Sequence, residues 1–293
     1  MMRSNHRLLP VGSLLVSATL WGLVWIPLRL LDGQGMGGLW ASLTSYGAAL
    51  LVGLFWLSRR APSWHNHGLA LACMALAVGW CNVAFVLAVL DGTVVRVLLL
   101  FYLSPLWTLI LGWLILDERP GREGLLVFIV AVIGALTMLW DPSMGMPWPR
   151  DQADWLAVSS GFAFAVANVL VRHQPDVPVS SKVIAGWLGD VLVAAVWILV
   201  VTEPLPTVAA PVWLGAVLLG WFGFMIMTVL VVYGVTHMPV HRSAVILLFE
   251  LVVGTVSALL LTDEQVEIRE WLGGGLIVLA AYGAAHAQIG ESA

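Results

Sequence analysis

Two acids stand inside otherwise apolar runs: Asp190 in AGWLGDVLVAAVW and Glu250 in ILLFELVVG. A carboxyl group at the centre of a bilayer costs at least ~2.5 kcal/mol on insertion scales, so each must face a protein interior rather than lipid. There it could carry a coupling proton or hold a substrate amine, or it could be a hydrogen-bonded packing acid. Gly186, one turn before Asp190, admits a close neighbouring helix and favours the interior face. The amides of Asn82 and Asn168 each offer two donors and an acceptor, which suits an amino or carboxylate group as well as an interhelical hydrogen bond. Ser104 and Pro105 sit together in mid-run; proline removes a main-chain donor and frees a carbonyl about one turn earlier. That acceptor could meet a substrate or only accompany a kink. Pro27 lies near the end of its run and reads as a kink.

Aromatic residues supply the apolar side of such a site. Trp40, Trp56, Trp64, Trp140, Trp148, Trp155 and Trp271 fall near the ends of apolar runs and fit interface anchors. Trp21, Trp80, Trp107, Trp187 and Trp221 lie deeper. A flat ring with one donor makes a good cavity wall. The candidate substrate-binding residues are therefore Trp21, Tyr46, Trp80, Asn82, Tyr102, Ser104, Pro105, Asn168, Trp187 and Trp221, with Asp190 and Glu250 as coupling or structural acids. Packing and lipid contact are the competing roles for the rings. Hydrolytic and phosphate chemistry find no support: there is no His-Glu-x-x-His run, no Gly-x-Ser-x-Gly elbow and no P-loop. His65, His67, His173, His237 and His241 stand at run ends, and Cys73 and Cys81 read as packing thiols. No catalytic residue, cofactor or metal is expected.

The elements that must position these groups are membrane helices. The chain is 60% hydrophobic and only 10% charged, with a mean hydropathy of +0.96; soluble proteins carry roughly 25% charged residues. A net charge of −4 points to no nucleic-acid partner. Arg3 and Arg7 ahead of an apolar run resemble a signal peptide, but the run 11–31 is near the ~20 residues that a bilayer needs. It is expected to be the first of ten spans, near 11–31, 36–57, 67–89, 93–116, 123–140, 154–173, 181–201, 211–236, 240–262 and 270–288. Helices are required because lipid leaves no irregular backbone satisfied. With the N-terminus inside, Arg3, Arg7, Arg59, Arg60, Arg119, Arg122, Arg172, Lys182 and Arg242 fall on the cytoplasmic side, against Arg150, Arg269, Arg29 and Arg96 on the other. This asymmetry places both termini in the cytoplasm.

The chain also repeats itself. Arg96 to Glu118 and Arg242 to Glu264 are apolar runs opened by Arg and closed by Asp-Glu, 146 positions apart in a chain of 293. A second register, offset by 143, aligns Ser17 with Ser160 and Arg29 with Arg172. The polar link from Asp141 to Asp154 separates five spans from five, which gives units 1–145 and 146–293. An odd number of spans per unit inserts the second upside down. The expected fold is all-α, an integral membrane protein of ten transmembrane helices in two inverted five-helix repeats. Repeats of this kind build a substrate path at their interface.

Tyr102-Leu-Ser-Pro105 followed by Asp117-Glu118, the helix bearing Gly134, Phe249-Glu250, Asp263-Glu264, the Gly273-Gly-Gly275 helix and Trp21-Gly22 together resemble the EamA-type transporters of the drug/metabolite transporter superfamily. The resemblance covers nearly the whole chain. Two departures stand out: Glu250 is followed by Leu251 rather than Pro, and Asp117 and Asp263 replace the usual Gly. Length and aromatic density are similar, by general likeness rather than by a motif, to the YddG-type bacterial aromatic amino-acid exporters. What the resemblance implies is a secondary transporter of the bacterial inner membrane that works by alternating access. Export of neutral or aromatic amino acids is the leading expectation, with protons as a candidate coupling ion. Multidrug or other small-metabolite efflux is the alternative. An intramembrane enzyme would cluster His, Asp or Arg at the interface; only Asp117-Glu118-Arg119 does so, and loop charge accounts for it. The repeat and the deep acids speak against a passive scaffold.

Overall fold

The computed structural model describes residues 2–57, 68–92, 94–140, 148–261 and 267–290. Asp263, Glu264, Arg59, Arg60, His65, His67 and Trp64 lie outside the described residues, as do the side chains of Arg3, Arg7 and Trp56. Every described element is helical: α1 (Met2–Leu23), α2 (Trp25–Asp32), α3 (Gly38–Leu57), α4 (Gly68–Asp91), α5 (Val94–Phe101), α6 (Ser104–Leu116) and α7 (Arg122–Leu139). Then follow α8 (Gln152–His173), α9 (Val179–Val201), α10 (Ala210–Leu218), α11 (Met225–His237), α12 (Val240–Leu247), α13 (Phe249–Leu261) and α14 (Ile268–Gly290). Among the described residues, nine helical stretches are long and apolar enough to cross a membrane, from Leu8–Asp32 to Val240–Leu261. The protein is a multi-pass membrane protein. The tenth expected stretch corresponds to α14, which packs along α7 but lies outside that set; its first turn carries Arg269 and Glu270.

Three of the expected continuous spans are interrupted, and a fourth changes helix type. The first is interrupted at Val24, between α1 and α2, because Pro27 cannot bond the carbonyl one turn back. The fourth breaks at Tyr102–Leu103; α6 restarts with Ser104 and Pro105 in its first turn, where a missing N–H costs nothing. The eighth carries a π-helical turn, Leu219–Phe224, between α10 and α11. There Gly220 lies against the Ser45 backbone, while the Ser45 hydroxyl donates to the Ala216 carbonyl over 2.8 Å. The ninth breaks at Leu248 with no proline nearby.

Close backbone approach at glycines holds the bundle, as expected where lipid gives helices no hydrophobic drive to associate. A Cβ on Gly22 would sit 2.7 Å from the Glu250 carbonyl, so α1 lies directly on the break in the ninth span. One on Gly134 would sit 2.8 Å from the Gly273 carbonyl, which joins α7 to α14. Asp117 ends α6 in the left-handed region, φ 53°, and the Glu118 amide bonds the Gly112 carbonyl over 3.2 Å. Glycine is the usual residue for that turn, and a short polar side chain tolerates it. This explains how Asp can stand where the resemblance expects Gly. Of the expected interface anchors, Trp140, Trp148, Trp155 and Trp271 are exposed, whereas Trp40 packs edge-on against Trp213.

Candidate functional site

The breaks of the fourth and ninth spans meet inside the bundle. Tyr102 occupies the break between α5 and α6, and Glu250 lies in the first turn of α13, just past the break at Leu248. The Tyr102 hydroxyl donates to the Glu250 carboxylate. Around this pair, Phe101, Ser104, Pro105, Phe164, Ala244, Leu247 and Leu248 enclose a crevice with a free volume of about 10 Å³, room for about one water. Phe101 is the hub of its aromatic wall, 5.1 Å from Phe85, 5.2 Å from Tyr102 and 5.7 Å from Phe164 between ring centroids. These are the spacings of favourable edge-to-face contacts.

A second polar pair joins α4 to α9. The Asn82 amide donates to Asp190 over 2.6 Å, and Asp190 is buried. Tyr46 stacks on Phe224 at 4.5 Å, and Trp21 meets the same ring at 5.7 Å in a tilted arrangement. The π-helical turn is what delivers Phe224 to this position.

The remaining expected residues go elsewhere. The Asn168 amide bonds the Phe164 carbonyl of its own helix over 3.0 Å. The indole of Trp80 donates to Ser159 and packs on Trp197, that of Trp187 donates to Thr228, and that of Trp221 donates to the Ala48 carbonyl. Trp221 is 37% exposed, on the outer surface of the bundle. The carbonyl that Pro105 frees is that of Phe101, and it points at α8: a Cβ on Gly161 would lie 2.6 Å from it. Close packing against Gly161, rather than a substrate, covers this acceptor.

Sequence reasoning missed a cluster at the end of the bundle that carries the C-terminus of α6. Glu118 accepts from Arg172 Nε at 2.7 Å and from the Val240 amide at 2.9 Å. Arg172 also donates to the Thr236 carbonyl at 2.9 Å. Lys182, fully buried, donates to the Val171 carbonyl and to Thr236 Oγ1. Five helices, α6, α8, α9, α11 and α12, are tied there. Asp117 and Arg119 do behave as loop charges, with side chains 83% and 69% exposed, but Glu118 does not at 18%. At the opposite end, Arg96 holds Asp154 through both carboxylate oxygens at 2.8–2.9 Å and bonds the Trp148 carbonyl. The link between the halves is thereby pinned to α5.

An apolar helical bundle with discontinuous helices and central acids can now be set beside known proteins. An uncharacterized transporter of Pseudomonas aeruginosa is 25% identical over 200 residues, which span 63% of this chain and 61% of that relative's length. A protein of solved crystal structure shares the fold with a TM-score of 0.76 over 95% of this chain and 96% of its own, at 16% identity. The model of the EamA-like transporter family matches residues 9–140 and 152–285. The chain belongs to the EamA-like transporter family.

Proposed function

We propose that this transporter is a secondary exporter of amino acids, mainly neutral and aromatic ones, that works by alternating access through the central crevice. It would sit in a bacterial inner membrane with both termini cytoplasmic. The observation that carries the reading is the Tyr102–Glu250 contact, which joins the breaks of two discontinuous helices beside an aromatic wall. Discontinuous helices at a repeat interface are where secondary transporters hold substrates. The break at Tyr102–Leu103 and the break at Leu248 fall at the 146-residue offset that relates Arg96 to Arg242. That coincidence supports two inverted five-helix units, 1–145 and 146–293. A tenth span fits α14, whose 23 residues are long enough to cross a bilayer.

Substrate entry would exchange the Tyr102 phenol for a substrate group on Glu250 and separate the two breaks. The aromatic wall would bury an apolar side chain at about 25 cal/mol per Å². The chain has no P-loop, so the energy would come from a gradient or from the substrate itself; for a gradient, protons are the candidate ion and Asp190, paired to Asn82, the candidate carrier. A second reading, efflux of lipophilic cations, is favoured by Glu250 standing in an aromatic wall with no basic side chain lining the crevice. Saturable uptake of phenylalanine, tryptophan, methionine and threonine into proteoliposomes tests the first reading. No saturable flux of these, alongside clear flux of a lipophilic cation, reverses the ranking.

A further inference from the structure

We infer that the central crevice recognises the ammonium group of its substrate and offers no cation to a carboxylate, so that aromatic amines lacking a carboxylate bind better than the zwitterionic amino acids. The inference rests on the transport reading above and sharpens it to the group that is read.

The crevice offers an ammonium group Glu250 together with the faces of Phe101, Tyr102 and Phe164. A carboxylate and aromatic faces both attract a cation. A carboxylate entering this space would face the Glu250 carboxylate at low dielectric. Its only hydroxyl partners among the lining residues are Ser104 and the Tyr102 phenol, which already donates to Glu250.

Among the described residues, the cations drawn into the bundle are placed elsewhere. Arg96 is held by Asp154 at one end of the bundle. Arg172 and Lys182 belong to the Glu118 cluster at the other. Arg242 faces a different crevice, with Gly124, Val127 and Ala284 of α7 and α14. The Asn82 and Asn168 amides, suited to an amino or a carboxylate group, are turned to Asp190 and to the Phe164 carbonyl. A neutral hydroxyl in place of a cation forfeits a charge-assisted bond, a loss of at least about tenfold in affinity.

Isothermal titration of the purified full chain at pH 7 with three probes that share one ring decides this: 2-phenylethylamine, phenylalanine and 3-phenylpropionate. 2-Phenylethylamine should bind at least about tenfold tighter than phenylalanine, and 3-phenylpropionate should not bind. Glu250→Gln should lose the amine by a similar factor while keeping its melting transition. Tyr102→Phe, which removes the phenol that competes for Glu250, keeps the assay decisive if the Gln variant fails to fold. It should bind the amine at least as tightly as the parent chain. Equal affinity for the three probes, binding of the amine unchanged in Glu250→Gln, or weaker binding in Tyr102→Phe would each overturn the inference. Saturable phenylalanine flux alongside equal affinities would overturn it alone; the expected affinity order with no flux of any probe would overturn the transport reading alone.

Discussion

Glu118→Ala should open the bundle at the end where α6, α8, α11 and α12 meet. The substitution removes two hydrogen bonds, from Arg172 Nε at 2.7 Å and from the Val240 amide at 2.9 Å, both of which tie α6 to neighbouring helices. Arg172 also reaches the Thr236 carbonyl, so its grip on α11 loosens once Glu118 no longer orients it. A charge-assisted bond contributes about 1.5–3 kcal/mol, and the amide bond about 1 kcal/mol more. Arg172 is 28% exposed and can rehydrate, which brings the net loss to about 2 kcal/mol. That shifts the balance between closed and open arrangements by roughly thirtyfold. A cysteine at Ala244, buried in the crevice wall, reports it in a chain with Cys73 and Cys81 replaced by alanine. Its labelling by a soluble maleimide should speed up by at least about tenfold in Glu118→Ala if the opening follows this population shift. An unchanged labelling rate in a variant that still melts cooperatively would refute this role of the Glu118 cluster.

Gly161→Ala should lower thermal stability by about 1–3 kcal/mol, because its Cβ would meet the Phe101 carbonyl; an unchanged melting temperature contradicts that packing. Arg96→Ala leaves buried Asp154 without its partner and should cost about 3–5 kcal/mol. The double variant Arg96→Ala/Asp154→Ala should recover part of this, and strict additivity would show that the pair does not interact. Asp190→Asn should abolish gradient-driven flux and spare substrate exchange; a variant with full gradient response makes Asp190 structural. Cysteines at Gly37 and Glu203 should be labelled together from outside the cell, since a Cβ on Gly37 would lie 3.0 Å from Glu203 Oε1. A cysteine at Arg122 should be labelled from inside, and the reverse pattern would invert the topology.

Composition and run length made the helices legible, because lipid permits little else, and nine of the stretches expected from hydropathy are membrane-length helices among the described residues. Pro27 and Pro105 announced two of the helix breaks. The break at Leu248 carries no local signal; only the 146-residue offset from Tyr102 points to it. The π-helical turn at Leu219–Phe224 was not legible, since it arises from Gly220 meeting a backbone from another helix. For the same reason Phe224 was missed as the partner of Tyr46 and Trp21. The deep acids stood out by their cost in an apolar run, but their partners are set by tertiary packing. Spacing alone could not bring Asn82 to Asp190 across 108 residues, or Tyr102 to Glu250 across 148. Glu118 was misjudged because an acid at a helix end looks like surface charge until Arg172 is placed against it.

The most direct test is flux through the purified protein in sealed liposomes. Labelled phenylalanine and tryptophan, and a lipophilic cation as alternative substrate, would be measured with and without a pH gradient, beside protein-free vesicles and Glu250→Gln. Saturable, protein-dependent flux of an aromatic amino acid that is lost in Glu250→Gln is the result predicted. Flux of the amino acids and of the cation indistinguishable from protein-free vesicles, or retained in full by Glu250→Gln, would contradict a central carboxylate site served by alternating access.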